Sequence, residues 1–385
     1  MGDVRPSVAM VLSNDGSADP RVEKEARALV DAGWDVTVVA WDRSQTLPAK
    51  ETRAGGWRLH RVGPVARHGA GLGNLDAYQR FWSGATDAVA DLAPHVVHCH
   101  DADAIPVGTR AVRRLDGAHL VVDLHELYAQ SKMIPQRGWK GIAARGAVKS
   151  YERRGVRRSS LVVVANPGQV SLVAGLAEDD PRLAIVENAP ERDRFEPASR
   201  QREAGDPFKV CFIGQKRSVS QLEALMRAIE PHADMSALLA GGGTAADDIE
   251  RLGTRYERVE TRGRVAYDEI PALYEGCDVV YAVYDTTYGN YRTHFPVKAM
   301  EGMALGVPVL VSKGTWVADY VEQHGIGLAV REGDPDGIAD ALVRLRDDPD
   351  EAARMGERGR GIVDAGLNWE AASARLIRAY EGLRP

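Results

Sequence analysis

Cysteine is scarce in this sequence, and Cys99, Cys211 and Cys277 are the only three among 385 residues. They are far apart, odd in number and set in apolar, strand-like contexts. This usage argues against a disulfide framework and against a cysteine-based metal site. It favours a reducing, cytoplasmic compartment.

Long apolar runs and an excess of positive charge are lacking too. No stretch reaches the roughly 20 apolar residues of a transmembrane helix, and the apolar run over 8–12 is too short for a signal peptide. The net charge of −6 gives no general reason to expect nucleic-acid binding. Neither a repeat of solenoid length nor a low-complexity segment is visible. The sequence therefore predicts a soluble globular protein that is long enough for two domains.

Short apolar strands alternate with amphipathic helices in the first half of the chain. Residues 8–12 predict a strand, Asp19 is a suitable N-cap, and Pro20 is a suitable first helical residue. Gly33 is predicted to end this helix before a strand over 36–40. This strand-helix-strand order predicts parallel pairing. The later elements predicted here are strands 57–62, 96–99, 120–124, 161–164 and 183–186, and helices 75–92 and 105–115.

Polar side chains follow two of these predicted strands. His98, His100 and Asp101 close one strand, and His125 and Glu126 follow another. Ligands of open α/β sheets bind at the carboxyl ends of the strands, so both groups are candidates for a site. Two other interpretations exist: the first group as metal ligands, and His125 as a hydrogen-bonded core histidine.

A polar segment over 190–207 holds three prolines and lacks apolar periodicity, which predicts a linker. A second series of strands and helices follows. The run Gly241 to Gly243 either lets backbone approach a ligand or is only a tight turn. Asn368 is a suitable cap for a last helix, long enough to reach back to the first domain. Other elements predicted here are strands 209–213, 237–240, 259–265, 279–283 and 307–311, and helices 222–229, 333–346 and 349–364.

The stretch from Asn290 to Leu310 carries the most chemistry. Pro296 is predicted to begin a short helix that Gly306 ends. Lys298 and Glu301 lie three residues apart and so share one face of this helix. The helix N-terminus and Lys298 favour phosphate, and Glu301 can accept two hydroxyls of a sugar, as in a nucleotide site. The alternative is an exposed ion pair that stabilises the helix modestly.

A basic stretch runs from Lys132 to Arg158, with nine lysines and arginines against the single acid Glu152. One interpretation is weak contact with an anionic membrane surface or acceptor. The other is a solvated face of a helix.

Taken together, the motifs resemble a retaining GT-B glycosyltransferase of family 4. The resemblance covers nearly the whole chain in order. The segments that carry it are Asp19 to Ala40 (DPRVEKEARALVDAGWDVTVVA), Val96 to Gly108 (VVHCHDADAIPVG), Val121 to Gln130 (VVDLHELYAQ), Glu187 to Phe195 (ENAPERDRF), Phe295 to Ser312 (FPVKAMEGMALGVPVLVS) and Asn368 to Leu383 (NWEAASARLIRAYEGL).

The resemblance implies an α/β fold of two doubly wound Rossmann-like domains that face a cleft. An N-terminal acceptor-binding domain over 1–190 and a linker over 191–207 are expected. A nucleotide-sugar-binding domain over 208–366 follows, and a C-terminal helix over 367–385 crosses back to pack on the first domain.

The implied function is retaining hexosyl transfer from a UDP- or GDP-sugar to a small-molecule acceptor, without a metal or other cofactor. A composition rich in Ala, Arg, Gly, Asp and Val favours a bacterial source, where such enzymes serve natural-product biosynthesis. Three alternatives stay open. The acceptor is lipid-linked or part of the cell envelope; the chain is a nucleotide-sugar epimerase or hydrolase on the same fold; or it is a catalytically silent binding subunit.

The site residues follow from the resemblance, position by position. His125 is expected beside the transferred sugar, with Glu126 next to it. Glu301 is expected on the donor ribose, and Lys298 and Arg217 near the diphosphate. The implied donor-binding set is Gly214, Lys216, Arg217, Gly242, Val265, Tyr284, Arg292, Thr293, Phe295, Pro296, Val297, Lys298 and Glu301. The implied acceptor-binding set is Asp19, Arg21, His100 and Asp101.

Two positions depart from the family pattern. Thr293 stands where a second glutamate usually contacts the donor sugar, and Gln215 stands where an arginine usually follows the first glycine. Arg217 is expected to take over the phosphate contact. The first departure indicates either a donor with an unusual hydroxyl pattern or a compensating loop around Tyr288 to Arg292.

Overall fold

The computed structural model describes residues 5–17, 19–67, 74–131, 134, 138–195 and 205–385. The chain divides into two compact units, residues 1–187 with 372–385, and residues 188–371. Each unit contains its own sheet and its own hydrophobic core. None of the described helices combines the length and the apolarity needed to cross a membrane.

The first unit is built on a sheet in the order β3-β4-β2-β1-β5-β6-β7-β8, in which only the edge strand β3 is antiparallel. Its strands are β1 Ser7–Val11, β2 Asp35–Trp41, β3 Lys50–Thr52, β4 Arg58–Val62, β5 Val96–His100, β6 His119–Leu124, β7 Leu161–Val164 and β8 Leu183–Ile185. Its helices are α1 Pro20–Asp31, α2 Leu75–Leu92, α3 Ile105–Ala111 and α4 Gly138–Val156.

The second unit has a parallel sheet in the order β11-β10-β9-β12-β13-β14. Its strands are β9 Phe208–Ile213, β10 Met235–Ala240, β11 Val259–Arg262, β12 Val279–Ala282, β13 Val309–Ser312 and β14 Gly327–Val330. Its helices are α5 Val219–Ile229, α6 Ala246–Gly253, α7 Ile270–Leu273, α8 Gly289–Thr293, α9 Val297–Leu305, α10 Trp316–His324, α11 Pro335–Asp347 and α12 Pro349–Ala365, and α13 Trp369–Glu381 leads back to the first unit.

Both faces of the second sheet are buried. Val210 and Phe212 of β9 pack in one core, and the alternating residues Cys211 and Ile213 pack in another. A parallel strand covered on both faces is typical of doubly wound sheets. Strand order reverses between β9 and β12, and in the first unit between β1 and β5, so a ligand is expected beyond the carboxyl ends of these strands.

Capping signals placed two helix starts correctly and one wrongly. The Asp19 carboxylate accepts a hydrogen bond from the N–H of Val22 at 3.3 Å, which confirms it as the N-cap of α1. Asn368 likewise accepts from the N–H of Ala371 at 2.9 Å and caps α13. Pro296 was assigned wrongly: it is the N-cap of α9, with extended backbone at φ −62° and ψ 129°, and not the first helical residue.

The segments that join the two units contain buried aromatic side chains. Phe195, inside the predicted linker over 191–207, is fully buried in a core of the second unit; residues 196–204 lie outside the described residues. At the other junction, α13 passes into the first unit at Ala372. There Tyr380 is fully buried and contacts Trp34 edge to face, with ring centroids 5.3 Å apart. The C-terminal helix thus completes the first unit.

Candidate active site

Three neighbouring strands of the first unit bring titratable side chains together at their carboxyl ends. His98 and His100 alternate along β5 and so share one face of the sheet, where their rings stack at 4.3 Å. Asp123 of β6 pairs with His100 in the parallel register and points to the same side. From the following loop, His125 closes the group, and Arg21 enters it from the first turn of α1.

Asp123 is the centre of this network and is fully buried. Its Oδ1 accepts a hydrogen bond from Arg21 Nη2 at 3.0 Å, and its Oδ2 lies 3.1 Å from His125 Nε2 and 3.5 Å from His100 Nδ1. Burial alone raises the pKa of Asp123, but the charges of Arg21 and His125 and the histidine hydrogen bonds outweigh it and hold the pKa well below its usual range. Asp123 is therefore an anion in the folded protein.

The sequence analysis missed Asp123, although one signal could have found it. The residue is an aspartate inside an otherwise apolar strand, two positions before His125. A buried charge needs a partner, so a carboxylate in such a strand points to a nearby cation.

His125 is the member of the network that reaches solvent, since its side chain is 16% exposed. Burial lowers its pKa, but the carboxylates of Asp123 and Asp101 raise the pKa more, to about 9. Asp101 also fixes the loop: its Oδ1 accepts the N–H groups of His125 and Glu126 at 3.0 and 3.1 Å. The imidazole is thus held in place and protonated at neutral pH, which makes it a hydrogen-bond donor toward an anionic or hydroxylated ligand.

Two of the predicted acceptor residues, Arg21 and His100, are buried but differ in charge and in their partners. Arg21 is 3% exposed, and its guanidinium is already bound to Asp123, to Glu25 at 3.0 Å and to the carbonyl of Val186 at 2.8 Å. It therefore holds the network together and does not present a free charge. His100 is 2% exposed, and burial beside His98 lowers its pKa to about 3, so it is neutral.

Asp19 combines its capping role with a hydrogen bond from Asn14 Nδ2 at 2.9 Å. Burial opposes ionisation of this carboxyl, yet His125, Asn14 and His100 together lower its pKa. Asp19 therefore places a negative charge close to His125. Burial raises the pKa of Asp101 to about 7 despite the opposing charge of His125.

Four buried side chains of the described residues place one potential ligand atom each within 4.8 Å of one another: Glu25, His98, His100 and Asp123. Two of the residues that the sequence analysis considered as metal ligands, His98 and His100, therefore belong to a group that could hold a metal ion. The third, Asp101, does not belong to it. However, the guanidinium of Arg21 binds both carboxylates of the group at 3.0 Å. Burial and the charge of Asp123 raise the pKa of Glu25 to about 8, so the two carboxyl groups carry mainly the one negative charge of Asp123, which Arg21 already balances. This arrangement disfavours a second cation. Metal independence stays a prediction.

In the second unit, the loops after β9 and β10 interlock. The N–H of Gly214 donates to the carbonyl of Ala240 at 2.9 Å, and that of Lys216 donates to the carbonyl of Gly242 at 2.7 Å. Gly241 has φ +124°, and a Cβ there would lie 2.1 Å from the carbonyl oxygen of Gly214. The glycine run therefore serves close backbone approach between two loops.

Lys216, which the resemblance places in the donor-binding set, is engaged by other parts of the protein. Its side chain is fully buried, and Nζ donates to the carbonyl of Arg262 at 2.7 Å and lies 3.4 Å from Glu250. Lys216 thus fastens the β9 loop to the end of β11. The sequence places it next to Arg217, but not the carbonyl 46 residues away that holds it.

Lys298, in contrast, is a buried cation without a hydrogen-bond acceptor among the described residues. It is 5% exposed, and Nζ lies 3.2 Å from the ring centroid of Phe212 and 5.2 Å from that of Tyr284. A Cβ at Gly214 would lie 3.1 Å from Nζ, so the glycine keeps the space beside the ammonium open. Burial lowers its pKa well below the usual range; Arg217 acts in the same direction, and Glu301 opposes it. An unpaired buried ammonium is costly, so the site suits an anion.

Glu301 lies one turn further along α9 and is also 5% exposed, which rules out the exposed ion pair. Its Oε2 accepts a hydrogen bond from Tyr274 Oη at 2.8 Å. The tyrosine orients the carboxylate, and the sequence analysis did not identify it. Such an oriented carboxylate is suited to accept hydroxyl groups of a ligand.

Aromatic rings line the segment between β12 and α9. Tyr284 and Tyr291 stack at 5.6 Å with an interplanar angle of 15°, and His294 contacts both rings edge to face. Arg217 Nη1 donates to Tyr291 Oη at 3.3 Å, which brings the predicted phosphate-binding arginine to this segment. Thr293 donates to the carbonyl of Gly289 at 3.4 Å within α8, so its hydroxyl is used inside its own helix.

The remaining predicted donor residues form the frame of this site. Phe295 is 7% exposed and packs on Trp316 and Tyr320, so its side chain belongs to the core. Arg292 is exposed on α8, and Val265 is half-buried against a core of the second unit. Pro296, Val297 and Gly242 contribute backbone and packing around the start of α9 and the β10 loop.

Two family models together match residues 16–362 of the chain. The glycosyl transferase 4-like domain matches residues 16–189, and the domain of glycosyl transferases group 1 matches residues 179–362. The D-inositol 3-phosphate glycosyltransferase of Corynebacterium jeikeium is 26% identical over 258 residues, 61% of this chain and 60% of the relative. A GDP-mannose-dependent alpha-(1-6)-phosphatidylinositol monomannoside mannosyltransferase of Mycobacterium tuberculosis (strain H37Rv) is 28% identical over 208 residues, 49% of this chain and 53% of the relative. The chain thus matches between half and 60% of the length of these relatives.

Solved structures are similar over nearly the full length. The sucrose-phosphate synthase of Thermosynechococcus elongatus has a TM-score of 0.81 at 21% identity and covers 98% of this chain and 99% of its own. The Anabaena protein HepE, solved in complex with UDP and glucose, has a TM-score of 0.69 at 15% identity and covers 98% and 100%. At this level of identity the likeness establishes the fold.

Proposed function

The chain belongs to the group 1, family 4-like glycosyl transferases with the GT-B fold, and we propose that it transfers a hexosyl group from a UDP- or GDP-sugar to a small hydroxylated acceptor with retention of configuration. The observation that carries this proposal is the buried, unpartnered ammonium of Lys298, one helical turn from the oriented carboxylate of Glu301. A cation and a hydroxyl acceptor at this spacing suit the diphosphate and the ribose of a nucleotide-sugar.

The donor is bound at the carboxyl end of β9 and the start of α9. Lys298 and the N-terminus of α9 face the diphosphate, and Arg217 supports them. Negative charge develops on the diphosphate as it departs, and fixed cations in a buried site stabilise that charge without reorganisation. The names of the similar proteins support guanine or uracil as the base of the donor, since one name contains GDP-mannose and another contains UDP.

The first unit contributes His125 as an imidazolium held by Asp123 and Asp101. Asp123 engages Nε2, and Nδ1 lies 3.6 Å from Asp101, beyond hydrogen-bond distance, so Nδ1–H donates a hydrogen bond to a hydroxyl of the acceptor. The acceptor is a polyol or its phosphate, in line with the inositol phosphate named for one relative. A place in bacterial natural-product biosynthesis belongs to this proposal, as does a cytoplasmic location, which the three buried free thiols fit.

A lipid-linked acceptor is the second candidate. It is supported by the phosphatidylinositol mannosides in the names of relatives and by the basic helix α4, whose preceding residues Lys132 and Arg137 lie outside the described residues. Supplying the purified chain with each acceptor class separates the two. Turnover of donor without any acceptor would instead identify an epimerase or hydrolase, and transfer by the single chain would exclude a silent binding subunit.

Glu301→Gln tests the donor site. We expect the dissociation constant for the matching nucleotide diphosphate to rise about tenfold or more, because hydrogen bonds to a charged group stabilise a complex by about 1.5–3 kcal/mol. The amide keeps an oxygen for Tyr274 and preserves the fold. Isothermal titration of UDP, GDP and their sugars measures the change. Glu322→Gln, an exposed carboxylate of α10 in the same unit, is the control. Equal affinity of all three proteins for every nucleotide would contradict the assignment.

Chelation tests the predicted absence of a metal. We expect excess EDTA to leave the rate of transfer unchanged, because Lys298 and Arg217 neutralise the diphosphate and because Arg21 already contacts the carboxyl groups of Glu25 and Asp123. A metal-dependent glycosyltransferase in the same buffer shows that chelation is complete. Activity that EDTA removes and Zn²⁺ or Mn²⁺ restores would point to the cluster of Glu25, His98, His100 and Asp123 as a metal centre.

A further inference from the structure

A second cationic site lies in the first unit, away from the network around Asp123. Between α3 and α4 there is a cavity of about 180 Å³. The residues of its lining that carry polar groups are Thr109, Arg110, Arg113, Tyr151, Arg154 and Arg158. All residues of the lining are described, and none of them is acidic.

The four arginines are without a carboxylate partner in the described part of the chain. Arg110 lies over the ring of Trp82 at 5.7 Å, and this contact leaves its N–H donors available. Arg113, Arg154 and Arg158 are exposed and Arg110 is half-buried, so solvent screens part of their mutual repulsion, and an anion that binds several of them removes what remains. Guanidinium is also the group that matches phosphate geometry best, through paired N–H donors.

Tyr151 provides a second, independent sign of a ligand. Its hydroxyl oxygen is buried and has no hydrogen-bond partner among the described residues. Burial raises the pKa of Tyr151 well above its usual range, so the phenol stays a donor. Asp103, whose charge acts on Tyr151, already accepts hydrogen bonds from Ser13 and Tyr128. A buried donor without an acceptor is costly, and a bound anion would satisfy it.

The shape of the cavity is built into the helices. A Cβ at Gly155 would lie 2.6 Å from Ile105 Cγ2, so only glycine lets α4 approach α3 this closely. The approach brings Arg154 and Arg158 of one helix segment opposite Arg110 and Arg113 of the other. The cavity is small, and its volume fits one phosphate group with water.

We propose that the cavity between α3 and α4 binds a phosphate group through Arg110, Arg113, Arg154, Arg158 and the Tyr151 hydroxyl. The inference is independent of the donor site. The phosphate belongs either to a soluble ligand or to the headgroup of an anionic lipid. The same helix α4 exposes two large apolar side chains, Trp139 at 75% and Ile142 at 64%, which are the groups that an interfacial helix inserts into a membrane surface.

The test compares two double variants on the full chain. Arg113→Gln/Arg158→Gln removes two exposed cations of the lining. Arg153→Gln/Arg157→Gln removes two exposed cations, one in α4 and one just after it, that are not part of the lining. Isothermal titration measures binding of inorganic phosphate and inositol 1-phosphate, and co-sedimentation measures binding to phosphatidylglycerol vesicles, with phosphatidylcholine vesicles as the reference. We expect the first variant to bind about tenfold more weakly or worse, since two charge-assisted hydrogen bonds are lost, and the control to bind as the wild type does. Phosphate bound at the donor site contributes equally to both variants, so their difference reports the cavity.

Two further measurements show whether the phosphate belongs to a lipid or to a soluble ligand, and whether it binds at the cavity. Trp139→Ala lowers vesicle binding if the phosphate is a lipid headgroup, and it leaves titration of soluble phosphate unchanged if the ligand is free. Hydrogen–deuterium exchange on the unmodified chain is expected to show protection at 105–113 and 151–158 when the ligand that binds is added. Equal weakening in the two double variants, no binding of either source, or no protection of these segments would overturn the proposal.

Discussion

Lys298→Met is expected to lower kcat/KM for transfer by about 100- to 1000-fold, the effect of removing one fixed charge or donor that stabilises charge in a transition state. Methionine has a similar length and keeps the packing on Phe212. The variant also loses a buried ammonium that has no acceptor among the described residues, so its free energy of unfolding without ligand is expected to stay equal or to rise. Steady-state kinetics and thermal melting with and without nucleotide measure both effects. A loss of function together with undiminished stability is the signature of a ligand-binding charge.

The pH dependence of stability gives a second readout for the same residue. Burial lowers the pKa of Lys298 below 10.5, so between the lowered value and 10.5 the unfolded chain binds more protons than the folded chain. The free energy of unfolding of the ligand-free protein therefore rises with pH across this window, and Lys298→Met removes that contribution. Lys313→Met, an exposed lysine after β13, is the control and is expected to change neither activity nor this slope. Normal transfer by Lys298→Met would remove Lys298 from the donor site.

The fold was predictable from the sequence where local chemistry decides it. The alternation of short apolar runs with amphipathic segments predicted the parallel sheets, and the caps at Asp19 and Asn368 were correct because a cap depends on residues within one turn. The short strand β3 and the short helix α8 were missed, since three and five residues are too few to show a period. Pro296 was placed one position too far into α9 because proline is favoured at the first helical position.

The candidate site was predictable in type but not in detail. The spacing of Lys298 and Glu301 predicted a shared helix face, but their burial depends on α9 packing against α12 and the sheet, which no local pattern shows. Lys216 was expected in the donor-binding set, and the carbonyl that accepts the hydrogen bond of its Nζ is 46 residues away. Asp123 was missed although an aspartate inside an apolar strand is a local signal, and its partner Arg21, 102 residues earlier in the chain, could not be identified from that signal. Long-range pairing decides which polar residues are structural and which stay available for a ligand.

Asp123→Asn is expected to reduce transfer at neutral pH by about 100-fold or more, the scale of a lost proton donor. Asp123 contributes to raising the pKa of His125 to about 9, and the neutral amide lets that pKa fall. Wild-type activity is therefore expected to decline only as pH rises through about 9, whereas the variant declines at lower pH. The pH profile of kcat/KM measures the shift, and NMR titration of the His125 imidazole checks it directly. Asp103→Asn, the same change at a carboxylate outside the His125 contacts, is the control and is expected to keep the wild-type profile.

The free energy of unfolding distinguishes a role of Asp123 in positioning His125 from a general loss of stability. His125 has its pKa raised on folding, so its contribution to stability is fully present below the unfolded value of 6.5 and is lost as pH rises through about 9. Asp123→Asn also removes the negative charge that pairs with the buried guanidinium of Arg21. Removing one partner of a buried ion pair lowers the free energy of unfolding by about 3–5 kcal/mol. His125→Asn avoids that cost because Arg21 keeps Asp123 and Glu25. If His125→Asn transfers sugar as the wild type does, while Asp123→Asn only melts earlier, the network stabilises the first unit and takes no part in catalysis.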